Sequence, residues 1–149
     1  MEKINNIKGT KDIIGDETFV WQYIEKSIHS FLQRFGYTEI RTPMFENSQL
    51  FNRSIGEETD IVSKEMYSWI DQGNNHLTLK PEATAAVARA FIQHNLGRKS
   101  NLNRLYYIDS FFRRERPQKG RYRQFKQFGI EALGSKYPEQ DAEIICTAF

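Results

Sequence analysis

The chain has 149 residues, of which 27% are charged, 39% hydrophobic and 13% aromatic. This is too apolar and too aromatic for a disordered chain, and no apolar run approaches the ~18 residues that cross a bilayer. The first residues, Met1-Glu2-Lys3-Ile4, lack the apolar core of a secretory signal, and the single cysteine, Cys146, excludes an internal disulfide. His29, His76 and His94 are scattered without metal-ligand spacing, so no metal site is expected and the expected setting is cytoplasmic, with no membrane partner. Net charge is +2, but residues 98–126 hold ten basic and two acidic residues, leaving −6 for the rest. Such segregation suits either a solvated basic face or a polyanionic partner.

In chain order, the spacing predicts a helix over 16–35. Asp16 is its candidate N-cap, Gly36 is its stop, and Val20, Ile24, Ile28, Phe31 and Phe35 form an apolar stripe that Trp21, Tyr23 and Leu32 widen. A strand over 37–42 follows and ends at Pro43, which has no N–H to pair. A long helix running into such an edge offers a surface for a second subunit, or an edge that proline protects in a monomer. A short helix is expected over 50–55 with Gly56 as its end, and a polar loop over 57–64. Met66–Ile70 and His76–Leu79 flank the turn residues Asp71–Asn75 and predict a hairpin.

Pro81 then opens a predicted helix from Glu82 to about Asn95, stopped by Gly97. Glu82 and Thr84 fall where backbone N–H groups are free. They suit simple helix-start chemistry, or a ligand in front of the helix end. Two long strands, 105–115 and 123–133, enclose the seven residues Arg116–Tyr122, longer than an ordinary hairpin loop. A last helix begins at Pro138, with Ala142, Ile145 and Phe149 toward the core. It stops mid-pattern at an apolar residue, as a piece of a longer protein would.

Strand alternation places Phe111, Arg113 and Glu115 on one face, and Arg123, Phe125, Gln127, Gly129 and Glu131 on one face. The opposite side of the second strand, Phe128, Ile130 and Ala132, reads as core. The polar side suits a nucleoside triphosphate. Guanidinium groups grip phosphate, Phe125 offers a stacking surface, Arg121 on the loop reaches terminal phosphates, and Glu131 meets a cationic or N–H-bearing group. The sequence has no P-loop lysine and no dinucleotide glycine fingerprint.

The run Phe112-Arg113-Arg114-Glu115-Arg116-Pro117-Gln118-Lys119-Gly120-Arg121-Tyr122-Arg123-Gln124-Phe125 resembles motif 2 of the histidyl-tRNA synthetases, which are class II aminoacyl-tRNA synthetases. Gln127-Phe128-Gly129-Ile130-Glu131 continues the likeness. Leu79-Lys80-Pro81-Glu82-Ala83-Thr84-Ala85 is similar to the family's histidine-binding segment, the first helix, strand and Pro43 to motif 1, and Lys8-Gly9-Thr10-Lys11-Asp12 to the N-terminal signature. Lys80, Ala83, Lys126 and Gly15 stand where the family commonly has Arg, Gly, His and Pro. Lys126 is expected to point away from the site.

The resemblance implies an α+β fold, an antiparallel β-sheet flanked by helices like the class II catalytic core but incomplete. Residues 1–149 would be its N-terminal part, with motifs 1 and 2 but neither motif 3 nor the anticodon-binding domain. It implies that Arg113 holds the ATP α-phosphate near the histidine carboxylate, Glu115 sits at the adenine end, Phe125 stacks on adenine and Arg121 holds the γ-phosphate. Glu82, Thr84 and Gln127 would bind the histidine amino group, Glu131 the imidazole, and Arg116 and Gln118 would face the tRNA acceptor end. The implied partners are L-histidine, ATP with Mg²⁺, tRNA(His) and a second copy through motif 1. The implied reaction is adenylation of histidine and its transfer to tRNA, with this piece alone inactive. The rivals are a noncatalytic paralogue serving as regulatory subunit of ATP phosphoribosyltransferase, and a generic nucleic-acid-binding module.

Overall fold

The computed structural model describes residues 3–55 and 65–148. The element order is α1 (Asp16–Arg34), β1 (Thr38–Glu39), β2 (Phe45–Asn47), α2 (Ser48–Ile55), β3 (Ser68–Ile70), β4 (His76–Leu79), α3 (Thr84–Gln93), α4 (Leu96–Lys99), β5 (Asn103–Phe112), β6 (Gln124–Leu133) and α5 (Glu139–Ala148). Gly56 and the loop expected over 57–64 lie outside the described residues.

The strands form two three-stranded sheets, ordered β1-β5-β6 and β2-β4-β3. β5 and β6 are a ten-pair antiparallel hairpin, the second sheet is antiparallel throughout, and β1 joins β5 in parallel at the edge. The edge strand is only two residues long, so Pro43 lies beyond it. The 66–79 hairpin forms as expected. Its turn is closed by the Asp71 carboxylate, which accepts hydrogen bonds from the backbone and side-chain amide of Asn75 (2.8 and 2.9 Å).

Helix α1 ends as its sequence dictates. Gly36 (φ 74°) takes the left-handed turn, its N–H donates to the Gln33 carbonyl, and the Tyr37 N–H reaches back to the Leu32 carbonyl (3.1 Å). Tyr37 and Leu32 then pack together with Tyr106 of β5. At the other end the cap is Gly15 (φ 60°), with Asp16 inside the first turn. The apolar stripe also needs correction. Val20, Ile24, Phe31 and Phe35 are exposed, while Trp21, Glu25, Ile28 and Leu32 turn toward the protein. Glu25 is tolerated there because Lys126 of β6 pairs with it.

Helix α3 starts at Thr84, not at Pro81, with Ala83 as its cap. Its end is set by Asn95 in the left-handed region (φ 51°), and Gly97 lies inside α4. Helix α5 presents Gln140 and Thr147 inward, whereas Ala142 and Ile145 are exposed. The reason is polar. Glu143 forms a two-pronged pair with Arg104 of β5 (2.9 and 2.7 Å), which fixes the rotation of the helix.

Both faces of the β5–β6 hairpin are packed, so the expected division into one apolar and one polar side does not hold. On one face Leu105, Tyr107 and Phe111 pack on Ala83 and Val87 of the α3 region. On the other, Tyr106, Ile108 and Ile130 pack under α1. Phe128, expected in the core, is 56% exposed, because α1 covers only part of this face.

Candidate functional site

The register pairs Leu105 with Glu131, Tyr107 with Gly129, Asp109 with Gln127 and Phe111 with Phe125. Paired residues share a face, so Phe125, Gln127, Gly129 and Glu131 stand in one row beside Leu105, Tyr107, Asp109 and Phe111 of β5. Six residues at about 3.4 Å each put Phe125 and Glu131 about 20 Å apart along the strand. That row is long enough for a nucleobase at one end and an amino acid at the other.

At the first end, β5 stops at Phe112 and the chain continues as a clamp. The Arg113 N–H donates to the Arg123 carbonyl (2.9 Å). The Arg113 side chain donates from Nε to the Pro81 carbonyl (3.0 Å), and its guanidinium lies 5.1 Å from the centroid of the Phe125 ring. One N–H and one face of the guanidinium are thus fixed by protein. Glu115 is mostly buried, and its Oε2 accepts no hydrogen bond although Arg121 Nη1 stands 3.3 Å away.

The loop beyond is exposed. Arg116 and Gln118 face solvent, and Gln118 and Arg121 exchange backbone contacts around Gly120. Arg121 therefore pairs with Glu115, and would have to leave that pair to reach a terminal phosphate. Arg123, expected in the row, is outside it. Its backbone N–H donates to Gly9 and its guanidinium to the carbonyls of Lys8 and Glu115.

At the other end, Thr84 Oγ donates to Glu131 Oε1 (2.7 Å). The Glu82 carboxylate accepts the Ala85 N–H (3.1 Å), so it caps α3 from outside the helix. Helix-start chemistry is thus what Glu82 does, while Thr84 and Glu131 bring α3 and β6 together. Burial raises the Glu131 pKa above the ordinary carboxylate value, the Thr84 hydrogen bond pulls it down, and the Glu82 charge raises it further. Gln127 is exposed in the same row.

Tyr107 is the site residue that sequence reasoning missed. Its ring occupies the space that a side chain at Gly129 would need. A Cβ there would stand 2.3 Å from the Tyr107 hydroxyl. Burial, with the Glu131 and Glu82 charges, pushes its pKa to about 12, so the hydroxyl keeps its proton at neutral pH. The signal was available: counting back by twos from Phe111 reaches Asp109, Tyr107 and Leu105. Lys80 is also fully buried, paired with Asp109. Lys126 points to the α1 face as expected, toward Glu25 and 5.8 Å from the centroid of the Trp21 ring.

Comparison with known proteins defines the class first. The fold matches that of a solved apo histidyl-tRNA synthetase from S. aureus, with a TM-score of 0.82 and 37% identity over 98% of this chain and 33% of that one. It also matches a Bacillus halodurans protein described as an ATP phosphoribosyltransferase regulatory subunit/histidyl-tRNA synthetase (TM-score 0.83, 23% identity, 99% and 37% coverage), a likeness of fold alone. The described residues thus have the fold of a class II synthetase-type domain.

A family model described as histidyl-tRNA synthetase matches residues 9–149, and the chain belongs to that family. It is 51% identical over 147 residues to a histidine–tRNA ligase of Caldicellulosiruptor saccharolyticus, covering 99% of this chain and 35% of that protein. It is 55% identical over 144 residues to one of Chloroherpeton thalassium, covering 96% and 34%. The chain therefore spans about a third of the length of the curated relatives it matches. Among the described residues no helix is long and apolar enough to cross a membrane.

Proposed function

We propose that this chain supplies the histidine- and ATP-binding half of a histidine–tRNA ligase, as motifs 1 and 2 of its catalytic domain. The observation that carries the reading is Arg113, fixed by the Pro81 carbonyl and the Phe125 ring at one end of a row that ends at Glu131. Adenine would stack on Phe125, and the buried Oε2 of Glu115, ion-paired with Arg121 but accepting no hydrogen bond, suits an adenine amino group. Arg113 would meet the α-phosphate. The histidine amino group would lie near Glu82, Thr84 and Gln127, with the imidazole against Glu131. An amino acid lacking the imidazole N–H would leave that half-buried carboxylate unpaired, which supplies discrimination.

The histidine carboxylate oxygen attacks the α-phosphorus, the bond to the β-phosphate oxygen breaks, and pyrophosphate leaves with those electrons. A terminal ribose hydroxyl of tRNA(His) then attacks the carbonyl carbon, the bond from that carbon to the phosphate oxygen breaks, and adenosine monophosphate departs with those electrons while the hydroxyl proton passes to the phosphate. Arg113 stabilises the charge that develops on phosphorus oxygens, and no side-chain nucleophile is needed. Mg²⁺ would enter on the triphosphate. Among the described residues no group of three or more His, Cys, Asp or Glu could hold a metal ion. Arg116 and Gln118, exposed on the loop, would face the tRNA acceptor end. The setting is cytoplasmic in this reading, and the enzyme is a dimer through α1.

The rival reading is the regulatory paralogue, which would bind histidine without forming an adenylate. The test is histidine-dependent exchange of pyrophosphate into ATP, using a protein of the relatives' length that contains these residues. Exchange is expected. Arg113→Ala is expected to lower it by about 100-fold or more, and the 149-residue chain alone is expected to give none. Histidine binding without exchange in the longer protein would favour the regulatory paralogue.

A further inference from the structure

Lys80 has no task in the proposed reaction, yet it is fully buried at the joint between the two sheets. Its backbone N–H donates to the Met44 carbonyl (3.0 Å), and its carbonyl accepts the Phe112 N–H at the end of β5 (3.1 Å). Its ammonium donates to the Thr42 carbonyl (3.2 Å), to Thr42 Oγ (3.3 Å) and to the Asp109 carboxylate. All three ammonium donors are used, and the Phe111 ring stands 5.5 Å away. Asp109 is itself held, because its other oxygen accepts the Ser110 N–H (2.8 Å).

The next residue is Pro81, whose carbonyl holds Arg113 Nε. Proline has a fixed φ, so the anchoring of the preceding residue fixes where that carbonyl carbon lies, and the entry into α3 then sets the ψ that turns its oxygen. We infer that Lys80 is the positioning residue of Arg113: pinned to Thr42 and Asp109, it aims the Pro81 carbonyl that orients the guanidinium, and it touches no substrate itself. The consequence for catalysis rests on the proposed function; the positioning does not.

The experiment reads the solvent exchange of the Arg113 Nε–H by ¹⁵N NMR, assigned by its loss in Arg113→Ala. The Arg104 Nε–H, bonded to Glu143 on the opposite sheet face, is the reference. Lys80→Met removes three donors and is expected to speed Arg113 exchange about tenfold while Arg104 is unchanged. Lys80→Arg keeps charge and donors and is expected to match the unaltered chain. Unchanged Arg113 exchange in Lys80→Met, a parallel rise at Arg104, or a Lys80→Arg protein as fast as Lys80→Met would each overturn the inference. Should Lys80→Met not fold, Asp109→Asn decides: about threefold faster exchange at Arg113 alone supports the inference, and no change overturns it. ATP titration of the unaltered chain runs alongside. Failure to bind ATP would count against the proposed nucleotide site and leave the Arg113 result standing.

Discussion

In the proposed function, Glu131 joins stability to recognition. Its carboxylate is partly buried, and the Thr84 hydroxyl only partly offsets the cost of its charge. The sign follows from linkage. An acid whose folded pKa lies above its unfolded value imposes no penalty below the unfolded pKa, and the native state loses that advantage as pH rises through the folded pKa. Glu131→Gln is therefore expected to raise the melting temperature at pH 7.5 and to leave it unchanged at pH 3.5. It should also weaken histidine binding by about tenfold or more. Thermal unfolding at the two pH values and histidine titration check this. A melting temperature that falls at pH 7.5 would show the carboxylate to be a structural partner of Thr84 instead. Glu131, Phe125, Gln127 and Arg113 could be found from parity and residue type alone. Tyr107 follows from the same parity on β5, but its filling of the space at Gly129 does not, and a lysine beside a proline carries no mark of where it is buried.

Elements obeyed their local signals where those signals were backbone geometry. The stop of α1 at Gly36 is such a case. It has a positive φ and nothing within 4 Å of a Cβ placed there, so only conformational strain opposes a side chain. Gly36→Ala is expected to cost about 1–2 kcal/mol in urea unfolding with the slope unchanged. A neutral or stabilising result would mean the turn relaxes to another conformation. Where the sequence reading of an element failed, a distant partner had intervened. The rotation of α5 follows the Arg104–Glu143 pair, across 39 positions of chain, and the late start of α3 leaves the Lys80 carbonyl to accept the Phe112 N–H at the end of β5.

At the scale of the molecule, α1 divides into two faces. One carries Trp21, Glu25, Ile28 and Leu32 onto the β5–β6 hairpin. The other leaves Phe19, Val20, Tyr23, Ile24, Phe31 and Phe35 exposed, from 40% to 73%. A contiguous apolar stripe of that kind is what a subunit interface covers. In the proposed dimer, Ile24→Glu with Phe31→Glu is expected to give monomers in sedimentation velocity at concentrations where the unaltered protein sediments as a dimer. Dimers that persist in the double variant would place the interface elsewhere.

The sequence by itself determined the hairpin, the two long strands, the helix α1 and the side-chain row of the site. Each depends on short-range periodicity and on turn residues, which are local properties of the chain. Only the tertiary structure decided which face of α1 meets the sheet, that both sheet faces are packed, and that Lys80, Asp109 and Tyr107 lie beneath the row. Those outcomes follow from pairing between segments tens of residues apart. A buried ion pair or a ring filling the space above a glycine is favourable only when both partners are present, and neither partner shows the other in its own stretch of sequence.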